Sequence, residues 1–125
     1  MTTQEAVMTT QDVANRFSQL AEQNQWKNIL DELYAPDAVS IEPAGSQGLQ
    51  NAEGLPAIKK KGELWESMVE EMHGGWCSKP IVGGRYFSLA MGMDATMKGG
   101  QRSKMDEIAL YEVRDGKIVK EQFFY

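Results

Sequence analysis

Covalent and metal frameworks have little to build on in this chain. It holds one cysteine, Cys77, and one histidine, His73. A lone thiol forms no internal disulfide. One histidine and one cysteine fall short of the usual zinc ligand sets, so neither a metal nor any other cofactor is expected. No apolar run reaches the length of a membrane span, and no basic stretch followed by an apolar one opens the chain as a signal peptide would. A reducing cytoplasm fits these features. The G-x-S-x-G elbow, the phosphate-binding loop and the dinucleotide glycine pattern are all missing, which leaves nucleophilic acyl transfer and nucleotide chemistry without support. The net charge is −5, which argues against nucleic acid or an anionic membrane as partner. Lys59, Lys60 and Lys61 make the only basic run, and Glu63, Glu66, Glu70 and Glu71 follow it closely. That run reads as a solvated helix face.

What is present suits one globular domain. The 125 residues are 42% apolar, enough for a core without disulfides. Met1-Thr2-Thr3-Gln4 recurs as Met8-Thr9-Thr10-Gln11. Residues 1–8 are therefore expected to form a flexible tail, with the domain spanning 9–125.

Thr9 or Thr10 can cap a first helix with Asp12 in its first turn. Val13, Phe17, Leu20 and Ala21 then share one face. Trp26, Ile29, Leu30 and Leu33 mark a short second helix ended by Pro36. Asp37–Glu42 alternates as a strand, and Pro43, Gly45 and Gly48 mark a loop. Pro56 suits the start of a third helix, with Ile58, Leu64, Trp65, Met68, Val69 and Met72 in its apolar stripe and Gly74-Gly75 as its stop. Four strands are expected next: Trp76–Val82, Tyr86–Met97, Ser103–Val113 and Lys117–Tyr125. Gly99-Gly100 and Asp115-Gly116 mark hairpin turns between them. Helices followed by an antiparallel meander indicate an α+β fold.

Simple pairing across Asp115-Gly116 puts Glu107, Ala109, Tyr111, Val113, Ile118, Lys120, Gln122 and Phe124 on one face. Met91 and Met93 join them, with Met93 opposite Glu107. A one-residue slip at Gly99-Gly100 would bring Asp94 beside Glu107 instead. The other face carries Ile108, Leu110, Val119, Glu121 and Phe123. Three helices can cover only one face, so a homodimer through the second is expected.

The element order, and the stretch Leu33 to Ser46 with Glu42 before Pro43-Ala44-Gly45-Ser46, resemble the ketosteroid isomerases, SnoaL-like polyketide cyclases and nuclear transport factor 2. This resemblance implies a cone-shaped α+β roll: three N-terminal helices on a curved, mainly antiparallel sheet of the cystatin-like kind. It also implies an apolar internal pocket, with Glu42 as general base. Phe17 and Ala109 stand where the isomerases place an oxyanion-binding tyrosine and a protonated aspartic acid. Neither can donate a hydrogen bond from its side chain, which argues against steroid isomerisation. Glu107 lies two residues before Ala109 on the same face.

The candidate acid–base groups are therefore Glu42, Glu107 and His73. Phe17, Tyr34, Trp65, Met91, Met93, Tyr111, Gln122 and Phe124 are the candidate pocket lining; Trp76 is a further one. Each also has a structural reading, as core aromatic, solvated carboxylate or helix-end histidine. Three functions stay open at this point: a cofactor-free isomerase, cyclase or lyase acting on a small hydrophobic carbonyl compound, a non-catalytic binder of such a molecule, and a protein-interaction module.

Overall fold

The computed structural model describes residues 7–46 and 49–125. Most of the expected tail, and Gly48 of the expected loop, lie outside the described residues. Val7 and Met8, by contrast, lie over Gly116.

Three helices come first with two strands among them: α1 (Thr10–Glu22), α2 (Trp26–Leu33), β1 (Tyr34–Ile41), β2 (Ala52–Glu53) and α3 (Leu55–Met68). The strands β3 (Val69–Cys77), β4 (Ile81–Gly83), β5 (Tyr86–Met97), β6 (Arg102–Arg114) and β7 (Lys117–Phe124) follow. They form one open, mostly antiparallel sheet in the order β2-β1-β7-β6-β5-β3, with β4 also on β5. The β1–β7 pair is parallel, which closes the N-terminal half of the chain onto the last strand.

Local chemistry explains most of these elements. Thr9 and Asp12 form a reciprocal capping box on α1, satisfying N–H groups that helix geometry leaves open. Asp115 and Gly116 both adopt positive φ, 51° and 75°, as a two-residue hairpin demands. The third helix ends earlier than its apolar stripe predicts. Val69 starts β3 instead, and its β-branched side chain favours that change. Gly74 and Gly75 therefore sit inside an exposed edge strand paired with β5, whose register shifts twice. Pro36 lies within β1, not at a helix end.

One bulge reorganises the sheet faces. Arg114 pairs with Lys117 and Val113 with Ile118, but Glu112 pairs with Lys120, leaving Val119 as the extra residue. From Lys120 onward every side chain of β7 is reversed relative to simple pairing. Glu121 and Phe123 therefore share the inner face with Tyr111 and Ala109, while Gln122 and Phe124 face outward.

The helices cover the inner face. Phe17 packs at 4.9 Å from Tyr111 and 5.7 Å from Phe87, centroid to centroid. With Val13, Ile29, Leu33 and Ile118 these rings fill the core. A phenylalanine buried in this way is worth about 3–5 kcal/mol when truncated to alanine.

Candidate functional site

Strand register arranges the inner face in rows. The deepest row runs Phe87, Tyr111, Glu121, Ser40 across β5, β6, β7 and β1. The next holds Leu89, Ala109 and Phe123. The row nearest the β3 edge holds Cys77, Met91 and Glu107. Glu42 follows β1 by one residue and is buried. Lys61 descends from α3 onto this face.

Two of the three carboxylates are fully engaged. Tyr34 donates its hydroxyl to Glu121 Oε1, and Ser40 donates to Oε2 at 2.6 Å. Burial is the largest influence on Glu121 and pushes its pKa up; the hydrogen bonds from Ser40 and Tyr34 oppose that rise. Lys61 donates to Glu42 Oε2 at 3.1 Å and to Ser40 Oγ at 2.5 Å. Its ammonium also lies 5.6 Å from the Phe123 ring centroid, within cation–π range. Tyr125 donates to Glu42 Oε1 at 2.8 Å and shares a 2.9 Å hydrogen bond with Ser46. The Glu42 N–H donates to Asn51 Oδ1 at 2.7 Å. A continuous hydrogen-bonded chain thus joins buried Tyr34 to Tyr125 at the surface.

Glu107 differs. Among the described residues no side chain donates to it, although it lies on the same face. Burial pushes its pKa up to about 7, and the charges of Glu42 and Glu121 add to the rise while Lys61 opposes it. A half-buried carboxylic acid that titrates near neutrality suits proton exchange.

The other candidates are scattered by the fold. Phe17 and Tyr111 belong to the aromatic core. Tyr34 is buried and serves Glu121. Met91 is half-buried opposite Glu107, whereas Met93 stands opposite Met105, two residues from the expected pairing. Trp65 is half-buried on α3. The bulge in β7 places Gln122 and Phe124 on the outer face, correcting the expectation from simple register. Trp76 also lies on that face, since its indole crosses the position a Cβ of Gly92 would take, beside Asp106. His73 is exposed on β3, with Nε2 at 2.6 Å from Thr96 Oγ1, because the helix it was expected to end has already stopped. Asp94 faces outward opposite Lys104 and is held by Arg102 at 2.7–2.9 Å.

Ser40, Lys61 and Tyr125 complete the site without having been singled out for it, and Glu121 joins them, a candidate only if register and face allowed. Lys61 had a signal: it lies three residues after Ile58 and four before Trp65, on the apolar stripe of its helix. Glu121 had none, because only the bulge turns it inward.

Concavities open on both faces of the sheet among the described residues. A cleft of about 310 Å³ lies between α1 and the β3–β4 connection, with Cys77, Leu89 and Pro80 in its wall and Gln11 and Asn15 at its rim. Cys77 is paired with Met91 and Met91 with Glu107, so this cleft reaches the row that holds Glu107. Burial and the charge of Glu107 both push the Cys77 thiol pKa up. The larger groove, about 370 Å³, lies on the opposite face among Tyr86, Leu110, Glu112, Lys120 and Gln122. None of Glu42, Lys61, Glu107 and Glu121 lines either concavity; Cys77 alone brings the smaller one to the row of Glu107. Among the described residues no cluster of acids, histidine and cysteine is placed to hold a metal ion, and no helix is long and apolar enough to cross a membrane.

Comparison with known proteins agrees with this architecture. The chain is similar to a crystal structure from Mesorhizobium loti described as a SnoaL-like polyketide cyclase: 34% identity over 94% of this chain and 100% of the other, with a TM-score of 0.88. A protein described as NTF2-like, from Burkholderia pseudomallei, is 17% identical over 94% of this chain and 92% of its own, with a TM-score of 0.75. One with a cystatin-like fold, from Xanthomonas campestris, is 19% identical over 94% and 90%, also at 0.75. These last two show likeness of fold alone. No curated protein matches the chain. The family model for the SnoaL-like domain matches residues 8–125, and the chain belongs to that family.

Proposed function

We propose that this protein is a cofactor-free acid–base enzyme, an isomerase, cyclase or lyase that acts on a small hydrophobic carbonyl compound, with Glu107 carrying the proton. The observation that carries this reading is the contrast among the three inner carboxylates. Glu42 and Glu121 have both oxygens bonded, whereas Glu107 has no donor among the described residues and titrates near 7. Lys61 spends two of its three N–H groups on Ser40 and Glu42. The donors left for a ligand oxygen are its third N–H and the proton of neutral Glu107. Ionised Glu107 would take a proton from the carbon beside the carbonyl, leaving an enolate, and return it at a second carbon or at oxygen. Glu42, the base implied by resemblance to the isomerases, is held by Lys61 and Tyr125, and Phe17 and Ala109 supply no oxyanion donor.

The ligand would enter through the cleft beside Cys77 and Leu89. A small panel of enolisable ketones in deuterated buffer tests the reading, with α-carbon exchange followed by NMR. The wild-type protein is expected to accelerate exchange of at least one compound, and Glu107→Gln to lose roughly 100- to 10,000-fold of that rate. Exchange equal to wild type in Glu107→Gln rules Glu107 out. Binding without exchange would favour a ligand-holding domain, a reading that the ion-paired state of Glu42 also supports.

The outer sheet face leaves Trp76, Ile108 and Phe124 about half exposed, and we propose a second copy of the chain as its cover. The bulge puts Phe124 into this face in place of Phe123. Sedimentation at roughly ten micromolar, where interfaces of standard size persist, should show a dimer. A monomer there excludes this assembly.

A further inference from the structure

Among the described residues Lys61 is the cation whose charge acts on both Glu107 and Glu121 and which pairs directly with Glu42. Its side chain is 10% exposed and that of Glu42 4%. It touches Glu42 directly and reaches Glu121 through Ser40. Nothing in a basic run followed by glutamates requires such a position. The placement comes from the Ile58–Lys61–Trp65 spacing, which turns the third lysine inward while Lys59 pairs with Asp31 at the surface.

We propose that Lys61 is the positioning residue of this site: seated between Ser40 and Glu42 over Phe123, it fixes two carboxylates and leaves Glu107 as the acid free to exchange a proton with a ligand. This rests on the reading of Glu107 as proton carrier. Without Lys61, Glu42 would be a buried carboxylate held by Tyr125 alone, and Ser40 would lose the donor that orients its hydroxyl toward Glu121. Glu42 would then turn to other donors, and a protonated Glu107, which already feels the charge of Glu42, is one. Lys61 therefore does two things. It keeps Glu42 from competing for the Glu107 proton, and it moderates the field of the two neighbouring carboxylates.

Several groups act on Glu107. Glu42, at the end of β1, and Glu121, from β7, raise its pKa, and Lys61 from α3 lowers it. Cys77 from β3, Tyr111 on its own strand and Tyr125 after β7 also feel its charge. None of these three is a cation, so Lys61 is the lever.

The test is a carboxyl ¹³C NMR titration of the full chain labelled at glutamate Cδ, with the Glu107 signal assigned by its loss in Glu107→Gln. The wild-type midpoint is expected near 7. Lys61→Met should move it up by about one pH unit, the scale of one nearby charge. Lys61→Arg should hold it close to wild type, and Glu42→Gln should move it down. A merely structural lysine would change the melting temperature and leave the midpoint in place. If Lys61→Met does not fold, the double variant Lys61→Met with Glu42→Gln removes both charges together. Its midpoint should then lie at or below wild type, because Glu42 acts on Glu107 more strongly than Lys61 does. A folded Lys61→Met with an unmoved or lowered midpoint overturns the proposal, as does a raised midpoint in the double variant. A wild-type midpoint near 4.5 overturns the reading of Glu107 itself, a result distinct from either.

Discussion

The two faces of the sheet carry acids in opposite ways. On the outer face Asp94 meets Arg102 in a two-point ion pair, and Glu112 lies between Arg85 and Arg114. These arginines are well exposed, and such pairs gain little because water and salt screen them. On the inner face, among the described residues, Glu42, Glu107 and Glu121 share one cation, Lys61, while the hydroxyls of Tyr34, Ser40 and Tyr125 bond to Glu121 and Glu42 and none to Glu107. Taking a carboxylate out of water is costly unless its lone pairs are met. Glu121 and Glu42 satisfy that condition, and Glu107 does not. Burial with incomplete compensation is what distinguishes a reactive carboxylate from a structural one.

Removing one compensating hydroxyl should expose this contrast most strongly. Ser40→Ala takes a donor from buried Glu121 and an acceptor from Lys61 at once. Leaving such a group short of a partner costs roughly 1–3 kcal/mol, and Tyr34→Phe should cost about as much. The loss should be larger at pH 8 than at pH 5, because the hydrogen bond removed is one that favours the ionised form of Glu121. Chemical denaturation at both pH values measures it. Equal stability of Ser40→Ala and wild type at pH 8 would mean that the hydroxyl network does not hold Glu121.

Glu107 should respond with the opposite sign. Its pKa is raised on folding, from 4.5 to about 7, so the folded protein binds the proton more tightly than the unfolded chain. The associated stability is fully present below about pH 4.5 and is lost as pH rises through 7. Glu107→Gln mimics the neutral acid. It should stabilise the protein by about 1–2 kcal/mol at pH 8, after allowance for partial exposure, with no gain at pH 4.5. Thermal melts of the two proteins across this range decide the matter. A constant difference would show that Glu107 does not titrate in this window.

The same contrast explains what could be read in the amino-acid sequence. The three helices and the β5–β6–β7 meander follow from apolar spacing and from Asp115-Gly116, since each is settled within a few residues. The inward turn of Glu121 is not. β7 carries apolar groups on both faces, Ile118 and Phe123 against Val119 and Phe124, so alternation leaves its register open. One extra residue, Val119, decides it. Glu107 could be placed because β6 is regular through that position, and Glu42 because its local motif resembles that of a family. Lys61 was hidden by its neighbours: a lysine run beside glutamates looks solvated, and only the packing of α3 shows that one member points inward. Phe17 was assigned by likeness to a pocket position that the aromatic core here fills.

The smallest effect belongs to the outer face. Its absence is informative, because a slip of one residue in the β5–β6 hairpin would have put Asp94 beside Glu107. The observed register runs unbroken from Tyr86↔Glu112 to Thr96↔Arg102, and it sends Asp94 outward to Arg102. The guanidinium hydrogen bonds pull the Asp94 pKa down, aided by the charges of Arg102, Lys104 and His73. A lowered pKa contributes stability above the unfolded value and loses it in acid, but this pair stands in water and is screened. Arg102→Ala is therefore expected to leave the melting temperature at pH 7 within measurement error, in low and high salt alike, and to leave the Glu107 titration midpoint where it is in the wild type. A clear fall in melting temperature, or a shifted Glu107 midpoint, would place Asp94 on the inner face and break the register on which the site is built.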